Sequence, residues 1–440
     1  MVMKYSFILL IGCMLSLVAE AQTKVYINAG HGSWGPDDRP LPTISHPMLA
    51  STGRPDTCGF YESNTNLWKC LELGRRLSAA GYKVRQSRVK NGPYPYVANA
   101  GNAQKYNRPL SEIAAEAEAW GADMFLSVHS NAASDGALAN YPLFLYRGTD
   151  AEEACPGSVA MCKKIWPYLT EAMRASIGFE FMSAYKTSTN IRGDRDFYHY
   201  EWTNPKGYVG YLGVLMQCIP GFLSEGYFHT YQPARHRALN EDWCRQEGIR
   251  YYRGISAYFG TPADTLGCIM GMVKARSAKM DGYDCYNYQP GTHDQYLPLN
   301  GTEVRLRNAA GEEVARYTVD NNYNGVFVFY DLEPGIYKVD TKVDGYITST
   351  TSYVKVTANK TTYSLIYKYR GDSTDFEPAT GIVEVTDFAG IAPTDAYAVY
   401  DLSGRLIAEG LYAGFRRSDF PEGTYVFRSG QLSYKFIGGR

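Results

Sequence analysis

The chain has 440 residues, with 44 basic against 45 acidic, so no long-range field draws it to nucleic acid or anionic lipid. That length exceeds what a single core usually holds, and two or three domains are expected, in a monomer without a nucleic-acid partner. Tyrosine is abundant at 38 residues while only 20% of residues are charged, a composition that suits strand-rich exported proteins.

The first segment carries Lys4, an apolar stretch from Phe7 to Val18, and Ala19-Glu20-Ala21 before Gln22. This reads as a signal peptide over residues 1–21, too short for an ordinary spanning helix, and no later stretch is apolar for long enough to cross a bilayer. Removing Cys13 leaves eight of the nine cysteines, an even number in an exported chain. Eight cysteines allow 105 pairings, so connectivity is not legible; Cys268 and Cys285 fall in one small domain and make a plausible local pair, with buried free thiols the alternative.

From residue 22 to residue 260 strand-like and helix-like runs alternate. Lys24 to Asn28 reads as a strand, Asn64 to Ala80 as a helix with Leu67, Cys70, Leu71, Gly74 and Leu77 apolar or small, and Tyr82 to Arg85 as a strand. Leu110 to Trp120 follows as a helix, Met124 to Val128 and Pro142 to Tyr146 as strands, and Val159 to Met173 as a helix. Ile219 to Ser224 is then a strand and Ala234 to Tyr258 a helix. The pattern predicts an α/β domain whose mostly parallel sheet is covered by helices on both faces. After Gly260-Thr261-Pro262 helical periodicity vanishes. Short β-rich runs between turns predict an all-β sandwich over residues 261–370, and a polar linker then leads to a smaller all-β unit within residues 371–440.

Two histidines and two glutamates stand at the edges of the apolar runs, in the order His31, Glu62, His129, Glu225. Ligands of open α/β sheets gather beyond the carboxyl ends of the strands, so these residues can converge there. A hydrolytic zinc needs three protein ligands and a position for water, and two histidines with one carboxylate are a common set. Zn²⁺ held by His31, Glu62 and His129 would acidify water and polarise a carbonyl, leaving Glu225 as the general acid/base. Asn131 is expected to orient His129 or its loop. Each of the four also has a structural reading: a turn residue for His31, a helix-start charge for Glu62, a core histidine for His129 and an ion-pair partner for Glu225. His46, His199, His229, His236 and His293 lack comparable contexts and are expected at the surface. The polar stretch Ser183 to Tyr208 is expected to form a lid or substrate loop.

The local contexts Gly30-His31-Gly32, Glu62-Ser63-Asn64-Thr65-Asn66-Leu67, Ser127-Val128-His129-Ser130-Asn131-Ala132 and Leu223-Ser224-Glu225 together resemble the zinc-dependent N-acetylmuramoyl-L-alanine amidases. The resemblance implies His31, Glu62 and His129 as zinc ligands, Glu225 as the catalytic glutamate, and peptidoglycan as substrate, cut between muramic acid and L-alanine. The chain departs from the family pattern at Ser33-Trp34-Gly35-Pro36 and at Tyr227. The run from Gly267 to Lys274, with Gly325 to Phe329 and Leu332 to Tyr337, resembles the carboxypeptidase regulatory-like sandwich, which implies a spacer or wall-contact role. Val399 to Arg405 and Phe420 to Val426 resemble the C-terminal sorting domain of type IX secretion. That implies contact with secretion machinery and an address at the cell surface or outside; without it the periplasm is expected. Alternative functions are a catalytically inactive wall-binding scaffold and a zinc peptidase acting on other exported peptides.

Overall fold

The computed structural model describes residues 22–32, 34, 38, 40–46, 59–92, 107–173, 190–198, 212–216, 219–350, 354–376, 391–430 and 432–439. The expected signal peptide, His199, most of the Ser183 to Tyr208 loop and Ser33 lie outside these residues. Among the described residues, no helix is long and apolar enough to cross a membrane.

The first sheet comprises β1 (Lys24–Ala29), β2 (Lys83–Gln86), β3 (Met124–Asn131), β4 (Leu143–Tyr146), β5 (Ile191–Gly193) and β6 (Gly221–Phe228), in the order β2-β1-β3-β6-β4-β5. The pairs β1/β2, β1/β3, β3/β6 and β4/β5 are parallel, while β4 runs antiparallel to β6. The expected α/β class holds, as a mixed sheet. Its central strands are apolar almost throughout because both faces are covered. On one face Val25, Ile27, Leu126, Val128 and Phe222 pack against helices α1 (Glu62–Ala79), α3 (Ser158–Met173) and α6 (Glu241–Phe259). On the other, Tyr26, Phe125 and Leu223 pack beneath α2 (Leu110–Trp120). Helix α1 turns Leu73 inward and leaves Leu71 exposed, contrary to the expected apolar set.

The single helix expected from Ala234 to Tyr258 is two, α5 (Gln232–Ala238) and α6. Asn240 divides them: its backbone is extended, and its side-chain oxygen accepts from the Trp243 amide at 2.9 Å, capping α6. Gly260 closes α6 in the left-handed region at φ 74°.

The sandwich has one sheet of β7 (Gly267–Lys279), β8 (Tyr296–Pro298), β11 (Val326–Leu332) and β15 (Thr361–Lys368). The other has β9 (Glu303–Arg307), β10 (Glu313–Thr318), β12 (Gly335–Lys342), β13 (Ser349–Thr350) and β14 (Val354–Val356). One pair, β7 with β15, is parallel. Cys268 and Cys285 are not bonded: Cys268 is buried on β7 against Arg253 of α6, and Cys285 sits in a turn at φ 57°. The last unit is a four-stranded antiparallel sheet of β16 (Ala396–Asp401), β17 (Leu406–Leu411), β18 (Gly423–Ser429) and β19 (Leu432–Gly438). Its core is aromatic, with Phe415, Phe420, Phe427 and Phe436 around Val399.

Strand alternation makes β7 two-faced. Ile269 and Val273 enter the sandwich core, whereas Met270 and Met272 join Val326, Val328, Phe60, Tyr227, Tyr231 and Trp243 in a cluster shared with the first domain. Each fully buried side chain of this size contributes about 1.5–3 kcal/mol. Polar contacts edge that cluster. Asp294, in the turn before β8, accepts from Arg237 Nη1 at 2.6 Å and Tyr231 Oη at 2.8 Å and lies 3.3 Å from Lys274 Nζ, all four being buried. The Asp294 carboxyl is pulled below its usual range by those cations despite burial, and burial pushes the Lys274 ammonium down to about 8. Asp294→Ala would strand two buried cations and is expected to cost about 3–5 kcal/mol, read from denaturant unfolding of the full chain. A loss under 1 kcal/mol would show that the pair is not needed.

Candidate metal centre

β1 ends at Ala29, and the Gly30 amide continues the ladder by donating to Val128 O at 3.0 Å. A Cβ at Gly30 would lie 2.2 Å from His129 Cε1, so only glycine lets the two strand ends come this close. His31 follows with φ 58°, the left-handed region that L side chains rarely adopt. The turn lifts its imidazole over the strand ends, and the His31 and His129 rings meet edge to face with centroids 5.2 Å apart.

Glu62 is the first residue of α1 and is buried. Its Oε2 lies 3.2 Å from His31 Nε2 and its Oε1 3.2 Å from His129 Nδ1. Oε1 also accepts from the Ser130 amide at 2.9 Å and Asn66 Nδ2 at 3.2 Å. One ligand atom from each of His31, Glu62 and His129 falls within 4.8 Å of the others. Burial raises the Glu62 carboxyl, but the imidazoles outweigh it and hold Glu62 well below the usual carboxylate range. Burial pushes His129 down, against the pull of Glu62, which favours the neutral imidazole that a metal takes.

Glu225 stands fifth of eight residues in β6, inside the strand rather than at its end. Its Cα pairs with that of His129 across the parallel β3/β6 ladder. Neighbours in register share a face, so both side chains lie on the side of the sheet that carries Phe125 and Leu223. A small cavity of about 30 Å³ beside His31 and His129 lies between the ends of β1 and β3 and the start of α2, lined by Asn28, Ser87, Asn107 and Arg108 among others.

Several residues that sequence reasoning passed over hold this arrangement. Arg88 is buried and donates to the carbonyls of Ala29 (3.2 Å), Gly30 (3.0 Å), His31 (2.9 Å) and Ser63 (2.9 Å), pinning the His31 turn to the start of α1. Burial lowers its guanidinium to about 10. Asp38 caps α1 from outside, accepting from the Ser63 amide at 2.5 Å and from its hydroxyl, and burial raises it to about 6. Lys69, fully buried on α1, donates to His129 O at 3.2 Å and pairs with Glu247 Oε1 of α6 at 3.0 Å. A Cβ at Gly226 would sit 2.1 Å from that same oxygen, so one ion pair braces β3 behind His129 and β6 behind Glu225.

His229 is a correction: it is buried, with Nδ1 2.9 Å from Ser130 Oγ and 3.8 Å from Glu62 Oε2. Its position four residues beyond Glu225 was the available signal. His236 is also buried, its Nε2 accepting from the Ile44 amide at 3.1 Å, while His46 is exposed and His293 half-buried. Asn131 does not contact His129 among the contacts described; its Oδ1 accepts from the Ala132 amide in its own loop. Of the departures from the family pattern, Tyr227 is buried with its hydroxyl on Thr65, and Trp34 meets Tyr61 edge to face with ring centroids 5.0 Å apart.

Residues 25–192 match the family model described as N-acetylmuramoyl-L-alanine amidase, a span that contains His31, Glu62 and His129 and stops short of Glu225. The matched segment, 168 of the 440 residues, is similar to that amidase family. No curated protein matches the sequence. Among solved structures, the catalytic domain of CwlV from Bacillus (Paenibacillus) polymyxa var. colistinus is 18% identical with a TM-score of 0.37, covering 55% of this chain and 100% of its own. An N-acetylmuramoyl-L-alanine amidase of Clostridium difficile 630 is 20% identical, TM-score 0.37, over 55% of this chain and 98% of its own. AmiC2 of Nostoc punctiforme is 17% identical, TM-score 0.36, over 55% and 98%. Likenesses of that degree carry no weight of their own.

Gly30→Ala is expected to push the His129 ring aside and weaken binding of a divalent metal ion by about 10- to 100-fold with the fold retained, as read by competition with a chelating dye. Unchanged affinity would show that the close approach does not matter. His236 gives a pH dependence. Burial lowers its imidazole from 6.5 to about 3, so the unfolded chain binds the extra proton between these values. Its stabilising neutral form is fully present above pH 6.5, and stability falls as pH drops from 6.5 towards 3. His236→Gln should flatten that part of the stability profile in urea titrations; an unaltered slope would exclude His236 as its source.

Proposed function

We propose that this enzyme hydrolyses the amide between the lactyl group of N-acetylmuramic acid and L-alanine in peptidoglycan, with zinc held by His31, Glu62 and His129 and with Glu225 as general acid/base. The observation that carries the reading is the convergence of those three donors within 4.8 Å, inside the segment that matches the amidase family. The donor set fits zinc: two imidazole nitrogens and one carboxylate oxygen, the carboxyl held ionised and the His129 imidazole favoured neutral. Bound there, zinc supplies Lewis acidity, polarising the scissile carbonyl and acidifying water.

The remaining work belongs to side chains of this chain. The Glu225 carboxylate takes a proton from the attacking water as the new C–O bond forms. It then delivers that proton to the amide nitrogen as the C–N bond breaks, leaving a lactyl carboxylate and a free alanyl amine. Arg88 and the Lys69–Glu247 pair keep the strand ends fixed while this happens, so no ligand must reorganise at the moment of reaction. The N-terminal apolar segment supports export, and the last β unit supports delivery to the cell surface, the periplasm being the address if that unit is not a sorting signal.

Purified sacculi incubated with the protein should release free stem peptides when zinc is present and not when it is chelated; no release with zinc would overturn the reading. Glu225→Gln is expected to keep its zinc while turnover falls by about 10²- to 10⁴-fold. Full activity in that variant would remove Glu225 from the mechanism.

A further inference from the structure

The turn between β7 and β8 has the sequence Met280-Asp-Gly-Tyr-Asp-Cys-Tyr-Asn-Tyr-Gln-Pro290 and encloses, with Gln232 of α5, an open cavity of about 500 Å³. That volume is in the range of ligand sites. Its lining is unusual in what it combines. Tyr283, Tyr286 and Tyr288 contribute rings, Asp281 and Asp284 contribute exposed carboxylates, and no lysine or arginine lines it. Tyr283 is 39% exposed, its ring tilted against that of Tyr323 with ring centroids 6.0 Å apart, so much of it is open to solvent.

This turn is built onto the catalytic domain. Asn287 Nδ2 donates to Gly136 O at 2.6 Å, Gln289 Nε2 to Leu138 O at 2.7 Å, and the Asn287 amide to the Gln232 side chain. Gly136 and Gln232 lie just past the carboxyl ends of β3 and β6, the strands that carry His129 and Glu225. His229, whose ring lies beside Glu62, is three residues before Gln232, so their Cα atoms are separated by at most about 11 Å. Cavity and metal centre therefore open along the same edge of the first sheet.

We infer that this cavity is a second substrate subsite that binds the glycan strand of the polymer: a polyhydroxylated chain of N-acetylated sugars, uncharged while its lactyl groups are held in amides, running from the metal centre onto the sandwich. Tyr283 offers a flat face to the C–H side of a sugar ring, and Asp284 accepts from its hydroxyls beside Asp281, which already accepts from Tyr288 Oη. The absence of a lining cation disfavours the carboxylate-bearing stem peptide. The inference rests on the proposed peptidoglycan reading, since it supplies the polymer.

The test is binding, which needs no turnover. The full-length protein is titrated with peptide-free glycan chains of β-1,4-linked N-acetylhexosamines and, separately, with isolated stem peptides. Wild type should bind the glycan, and Tyr283→Ala should bind it about tenfold more weakly. Asp284→Ala should weaken it in the same direction, and Tyr369→Ala, an exposed tyrosine on another part of the sandwich, should not. Absence of glycan binding by wild type, equal binding by Tyr283→Ala and Tyr369→Ala, or binding to stem peptides alone would overturn the subsite. Failure of sacculus hydrolysis with glycan binding intact would instead count against the amidase reading.

Discussion

The crevice depends on one close approach, the backbone at Gly30 lying against the imidazole of His129. With the strand ends this near, two histidines from segments about a hundred residues apart share one glutamate, and the helix that carries the glutamate must start where they meet. The cost is local: a histidine with positive φ and a buried carboxylate. It is met by groups with no chemistry of their own to perform. Arg88 ties four carbonyls together, and Asp38 caps a helix whose own N-cap residue, Tyr61, makes no side-chain capping bond.

Much of this was legible in the sequence. Central strands buried on both faces read as apolar runs, and β1, β3, β4 and β6 were recognisable for that reason. The three donors brought together, and the strand carrying Glu225, follow from glycines and polar residues placed at the ends of those runs. The antiparallel entry of β4 was not legible, because direction is set by the connections and not by the strand's own residues. Nor was the break between α5 and α6, since Leu239-Asn240 interrupts an otherwise continuous helical pattern by a cap that only the structure reveals.

The braces were hidden for a different reason. Lys69 reads as an exposed position on an amphipathic helix, and Glu247 as another on a second helix; only their juxtaposition across the back of the sheet makes each affordable in a dry interior. His229 and His236 read as surface histidines because their partners are a serine hydroxyl and a backbone amide from distant segments. The expected Cys268–Cys285 bridge failed because strand alternation turns Cys268 towards Arg253.

The cluster in which Met270 and Met272 meet Tyr227, Tyr231 and Trp243 has a consequence for how the molecule reaches its target. A module hung on a flexible tether can sweep a volume and search for an attachment point. One whose sheet packs against the helices of the first domain through a shared apolar cluster cannot, so the sandwich and the metal centre keep one spacing between them. By the same token, a protease that nicks the chain between Gly260 and Gly267 would not liberate a working catalytic fragment, since the severed halves would remain clasped through that apolar seam.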